Sequence, residues 1–113
     1  MKVANWLSAT PSWLRVESVP PEQVLAVSGD LDLGEREAIA LAEARRADLL
    51  LMDDAAGRAE ARRRNLRVTG ILGVLRVAAD RGLIEVPSVI AKLRSTNFYF
   101  DEDLIRSIFS RWL

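Results

Sequence analysis

The sequence predicts an α/β fold in which a small parallel sheet is flanked by helices. Helix-like and strand-like segments alternate from residue 34 onward, which is the rhythm of βαβ units. Residues 47–52 form a short apolar run, and such runs are typical of parallel strands buried on both faces. The helix-like segments are rich in alanine, leucine, glutamate and arginine, which favour helices.

The first third of the chain is less regular. Residues 3–7 fit one short helical turn, and residues 13–19 alternate apolar and polar side chains, which predicts a half-buried strand. Pro20 and Pro21 end that strand, so the residues up to Asp30 are predicted to form a connection.

The rest of the chain gives clearer signals. Predicted helices cover residues 34–46, 55–64, 71–80, 87–94 and 103–112, and predicted strands cover 47–52 and 66–69. Gly82 lies just beyond the third of these helices, a common position for a helix stop. The last helix carries an apolar stripe that predicts packing onto the core, formed by Leu104, Ile105, Ile108, Phe109 and Trp112.

The composition excludes several kinds of chemistry. The 113 residues suit one compact domain, and they include no cysteine and no histidine. A thiol nucleophile, an imidazole base, a disulfide and a conventional zinc site are therefore excluded. The net charge of zero argues against coating nucleic acid by bulk electrostatics. No apolar stretch is long enough for a membrane span, so we expect a soluble cytoplasmic protein without a membrane partner.

Two groups of acids remain as candidates for chemistry: Asp32, Glu35 and Glu37, and then Asp53 and Asp54. The structural interpretation is helix capping, because Asp32 and Glu35 have capping-box spacing and Asp54 precedes an alanine-rich helix.

Glu37 and Asp53 are harder to explain as caps. A helical wheel places Glu37 with Leu41 on the packed side and Arg36 on the solvent side, although Ile39 fits this division badly. Asp53 follows a predicted parallel strand, at the edge where open α/β sheets place their sites. The pattern suggests Glu37 and Asp53 as oxygen ligands for Mg²⁺ or Mn²⁺.

Basic residues form one dense cluster, which consists of Arg58, Arg62, Arg63, Arg64 and Arg67. They can hold phosphates of a nucleic acid or simply face water at a helix C-terminus. The helix that carries most of them offers only alanines as apolar residues, which predicts an exposed surface helix. Thr69 and Gly70 precede a helix start, which fits a simple turn better than an anion site.

Residues 31–42, 47–54 and 68–75 resemble successive motifs of a PIN-like family, described as predicted nucleic-acid-binding proteins related to VapC-type toxins. Residues 80–84 and the two-helix tail around Phe98 and Phe100 continue the resemblance, which runs from about Trp13 to the end. The family begins with a strand that ends in an Asp-Thr-Ser-like motif, and the chain resembles the C-terminal two-thirds of the family. We therefore expect a single, N-terminally shortened domain over residues 1–113 that lacks the first strand.

The resemblance implies a ribonuclease that holds Mg²⁺ or Mn²⁺ on three or four acids. It assigns the metal and catalysis to Glu37, Asp53 and Asp54, with Glu35 as an alternative ligand. Arg58, Arg62 and Arg63 would bind RNA, and an antitoxin or a second copy would be a protein partner. The alternative is a non-catalytic remnant that only binds a partner or itself.

Overall fold

The computed structural model describes residues 8–113, and the chain divides into two compact units, Met1–Ala47 and Asp48–Leu113. We call them the N-terminal and the C-terminal unit. The helical turn predicted for residues 3–7 lies outside the described residues.

Two helices lie wholly within the described part of the N-terminal unit, α1 (Pro21–Leu25) and α2 (Leu33–Arg45), and they contact each other. The Asp32 carboxylate caps α2, because its Oδ1 accepts the Glu35 backbone N–H at 2.9 Å. This confirms the capping interpretation of Asp32. Among residues 8–47, the buried apolar residues are Val24, Val27, Leu31, Ile39, Ala40 and Ala42.

Two secondary-structure predictions for this unit are wrong. Residues 13–19 form no strand, and two apolar residues of the alternating pattern, Trp13 and Val16, are 75% and 79% exposed. An alternating pattern without a neighbouring strand to pair with does not make a sheet. The predicted connection contains α1, which begins at Pro21 because proline is tolerated at the first position of a helix.

The C-terminal unit carries the sheet. Its elements are β1 (Leu50–Leu51), α3 (Ala55–Arg63), β2 (Val68–Thr69), α4 (Ile71–Asp80), α5 (Val86–Arg94), α6 (Glu102–Phe109) and a 3₁₀ turn (Ser110–Trp112). The strands are parallel, with Leu50 opposite Val68 and Leu51 opposite Thr69. A small parallel sheet with flanking helices is the predicted fold class, which is confirmed.

The core of this unit lies among its last three helices. Ala79, Val86, Ile90, Ile105 and Phe109 are its buried members, and Leu72, Leu75, Ile84, Phe100, Ile108 and Trp112 pack against them. The apolar stripe of the last helix is therefore confirmed as core, except for Leu104, which is 46% exposed.

Small residues shape the end of α4 and one face of α3. Gly82 has φ 68°, and its N–H donates to the Ala79 carbonyl at 3.0 Å, which confirms the predicted helix stop. The exposed surface predicted for α3 is wrong on one face, where Gly57, Glu60 and Ala61 are buried. Small side chains let this helix pack closely without large apolar residues.

Within residues 8–113, no helix combines the length and the apolar character that a bilayer crossing needs. The longest described helix, α2, has 13 residues.

Candidate functional site

Asp53 lies at the carboxyl edge of the parallel pair, as the sequence predicts. Strand β1 ends at Leu51 and β2 ends at the paired residue Thr69, so Asp53 and Gly70 follow at the same edge. Parallel sheets place functional groups at this edge because the loops and helix starts that follow neighbouring strands meet there.

The Asp53 carboxylate caps a helix that has no cap of its own. Gly70 stands at the N-cap of α4 and offers no side chain, while Asp53 Oδ1 accepts the Ile71 N–H at 2.9 Å from 18 positions earlier in the chain. The predicted turn at Thr69 and Gly70 thus presents a backbone donor, and the anion that takes it is a side chain of the protein itself. Negative charge is favourable at this end of a helix.

Arg58 fixes the backbone around Asp53. Its Nη1 donates to the Met52 carbonyl at 3.3 Å and also to the Asp53 carbonyl. A Cβ atom on Gly70 would lie 3.1 Å from Asp53 Oδ1 and 3.3 Å from Arg58 Nη1, so a larger residue there would require these side chains to shift by a few tenths of an ångström. Arg58, predicted to bind nucleic acid, therefore also has a structural task.

A cavity of about 470 Å³ opens beside these groups. Its charged lining residues are Asp53, Arg58 and Asp101, and the rest of the lining is largely apolar and includes Phe98, Tyr99 and Leu104. The arrangement places two acids and a cation next to aromatic rings. Sequence reasoning missed the aromatic contribution, although the Phe-Tyr-Phe run between two helices was visible as a signal.

Asp54 has the role that its position predicts. Its Oδ2 accepts the Gly57 N–H at 2.8 Å and caps α3. One carboxylate oxygen of Asp53 and one of Asp54 are thus bonded to backbone N–H groups of helix starts.

Glu35 and Glu37 lie in the first turns of α2, in the N-terminal unit. The wheel prediction for Glu37 is wrong, since its side chain is exposed, while Ile39 is fully buried and Arg36 is partly buried. The burial of Ile39 and Ala40 turns the Arg36 side of the helix inward. Glu37 lines a separate cavity of about 310 Å³ within this unit.

The predicted basic cluster divides into different environments. Arg63 and Arg64 bind Glu60 through hydrogen bonds of 2.6–2.8 Å, so they satisfy a carboxylate that is only 9% exposed. Arg62 and Arg67 are exposed and line a groove of about 670 Å³. Of the arginines predicted to bind nucleic acid, Arg63 is thus already paired within α3.

The pair of arginines holds the pKa of Glu60 at about 2, below its ordinary value of 4.5, chiefly through the hydrogen bonds from Arg63 and then Arg64. Because the pKa is lowered in the folded state, the ionised pair stabilises the fold above pH 4.5, and this stabilisation is lost as the pH falls toward 2.

We expect Glu60→Gln to lower the melting temperature at pH 7 because it leaves two arginines without their carboxylate. Thermal denaturation followed by circular dichroism should show the difference from wild type narrowing between pH 4.5 and 2. The matched control is Glu102→Gln, whose ion pair with Arg94 is about half exposed on both sides and should matter little. A Glu60 difference of equal size at pH 7 and pH 2 would contradict the assignment.

The donor chemistry suits a hard divalent cation, because the candidate acids offer carboxylate oxygens. The number of acidic side chains that lie close together in the described part of either unit, however, is too small to bind such a cation. Among the residues that the structure describes, neither unit gathers three or more acidic side chains into a group that could hold a metal ion. Taken alone, the described part of either unit therefore does not form a complete carboxylate centre for Mg²⁺ or Mn²⁺.

Comparison with known proteins gives one match. A protein-family model described as a PIN domain matches residues 2–112, and so includes residues from both units. No curated protein and no solved structure matches the chain.

Proposed function

Because the chain belongs to the PIN domain family, whose members are generally nucleases, we propose that it is a metal-dependent ribonuclease of the toxin–antitoxin type. The observation that carries the proposal is the joint position of Asp53 and Arg58 on a cavity at the carboxyl edge of the sheet. One family model includes residues from both units, which supports the proposal that residues 1–113 act as one domain.

We assign the metal and catalytic roles to Glu37 and Asp53, with Asp54 and Glu35 as further ligands. When bound, Mg²⁺ or Mn²⁺ would activate water for attack on a phosphodiester. Binding of an antitoxin or of a second copy of the chain as a protein partner stays a prediction.

The arginines have proposed roles in binding the RNA backbone. Arg58 holds two carbonyls with a single nitrogen, Nη1, and this anchors its positive charge on the cavity lining beside Asp53. A guanidinium held in this way suits a phosphate, because its planar donors match phosphate oxygens. Arg62 is exposed and supplies a second cation in the same unit, whereas Arg63 is the less suitable candidate because Glu60 already binds it.

The proposal is tested by incubating the protein with single-stranded RNA in Mn²⁺ or in EDTA. We expect cleavage in Mn²⁺, none in EDTA, and a loss of about 10-fold to 100-fold in Glu37→Gln. Glu22→Gln is the matched control, because Glu22 is an exposed glutamate of the same unit on the neighbouring helix.

Equal cleavage by wild type and Glu37→Gln would overturn the assignment of Glu37. Absence of cleavage under all conditions would favour the non-catalytic alternative, in which the chain binds only a partner or itself.

A further inference from the structure

We propose that Tyr99 is a stacking platform for one nucleobase of single-stranded RNA, which deepens the proposed function and rests on it. Tyr99 lines the cavity that also contains Asp53 and Arg58, and its side chain is 89% exposed. A base stacked there would lie within the same cavity as the proposed catalytic acid.

The packing of the neighbouring aromatic residues explains why this ring is exposed. Residues 95–101 connect α5 to α6, and residues 98–101 of this connection form neither helix nor strand. Phe98 and Phe100 are both partly buried, with stacked rings 6.3 Å apart, and Phe100 packs against the core cluster. Tyr99, between them, is left in solvent on an anchored segment.

The anchoring matters for binding. The Phe98 N–H donates to Thr96 Oγ1 at 3.2 Å, and Asp101 caps α6 through the Asp103 N–H at 2.7 Å. Both ends of the aromatic segment are thus fixed, so a ligand that covers Tyr99 orders little additional backbone. A tyrosine ring also has few torsions to immobilise.

The chemistry around the ring favours a nucleotide over a purely apolar ligand. A nucleotide presents a flat base and a negative phosphate, and the cavity lining presents an aromatic ring and the Arg58 guanidinium. Two carboxylates, Asp53 and Asp101, also line the cavity, and each already accepts a backbone N–H. Bases of single-stranded RNA are free to stack on aromatic side chains, and this stacking depends little on sequence. The apolar residues Leu72, Phe98 and Leu104 provide further surface for the base.

The first measurement uses the fact that Tyr99 is the single tyrosine of the chain. Labelling with 3-fluorotyrosine gives one ¹⁹F signal, which we expect to shift when a short single-stranded RNA is added in EDTA. An oligonucleotide of the same length with abasic sites keeps the phosphates and removes the bases, and it should leave the signal nearly unchanged.

The second measurement compares affinities by fluorescence anisotropy, again in EDTA. We expect Tyr99→Ala to weaken RNA binding by about 5-fold to 150-fold, and Tyr99→Phe to bind within about 2-fold of wild type. Leu83→Ala is the control, because Leu83 is an exposed apolar residue of the same unit outside this cavity.

An unchanged affinity of Tyr99→Ala for RNA, or equal binding of the abasic strand, would overturn the inference. The exposed ring would then be expected to bind a protein partner instead. Absence of binding by wild type would also overturn it. Because binding is measured without metal, RNA binding through Tyr99 in a protein that never cleaves would refute the nuclease proposal alone. Cleavage that does not depend on Tyr99 would refute only the platform.

Discussion

Replacing Phe109 with alanine is expected to lower the free energy of unfolding by about 3–5 kcal/mol. Phe109 is fully buried and belongs to the core cluster of the C-terminal unit, with the Trp112 ring centroid 6.2 Å away. The substitution removes a whole ring and leaves a cavity that the surrounding helices can fill only in part. A loss of this size is a large share of the stability of a small domain.

Urea denaturation followed by circular dichroism measures this loss. Tyr99→Ala is the matched control, because it removes an aromatic ring that is 89% exposed and should change stability by less than about 0.5 kcal/mol. Equal destabilisation by the two substitutions would mean that α6 is not packed as described. The control also shows whether the Tyr99 variant is folded, which the RNA-binding measurement requires.

Asp53→Asn is expected to reduce metal-dependent RNA cleavage by about 100-fold or more, because it removes the charge of a proposed metal ligand. The amide oxygen of asparagine can still accept the N–H of Ile71, so the cap on α4 is retained in part. We expect a stability loss of about 1 kcal/mol or less from the missing charge at the helix start. Asp53→Asn therefore separates the effect of Asp53 on RNA cleavage from its effect on stability.

Asp53→Ala completes the comparison. It removes both the charge and the acceptor, so it should lose activity to the same extent and about 0.5–2 kcal/mol of stability. Asp48→Asn is the control for a charge change, because Asp48 is exposed and precedes β1. Cleavage at the wild-type rate by Asp53→Asn would refute the catalytic role and leave Asp53 as a cap.

The sequence predicts the C-terminal unit well because local signals and tertiary packing agree there. Helix α4 occupies its predicted range, and the apolar runs around Leu50 and Val68 do form the parallel pair, although each strand is only two residues long. The prediction failed at residues 13–19, because a strand needs a neighbour and the alternation of side chains cannot show whether one is present.

The candidate site was predictable only in part. The position of Asp53 after a parallel strand and the caps formed by Asp32 and Asp54 follow from residue type and spacing. The Asp53–Ile71 hydrogen bond and the cavity that Tyr99 and Asp53 both line involve residues far apart in sequence, and no local pattern encodes them. The buried Glu60 was missed because its partners, Arg63 and Arg64, look like solvated charges on a helix end.

The cap on α4 has a consequence for the order in which the chain folds. Asp32, Asp54 and Asp101 each cap a helix that begins at the next residue, so these caps can form as soon as their helices do. The cap of α4 instead depends on Asp53, which precedes Ile71 by 18 positions. Asp53 comes within hydrogen-bond distance of Ile71 only after the two strands have paired. A slip of one residue in strand pairing would move Asp53 away and leave this helix end frayed. The first turn of α4 is therefore expected to form late, and only when the strands have paired in the correct register.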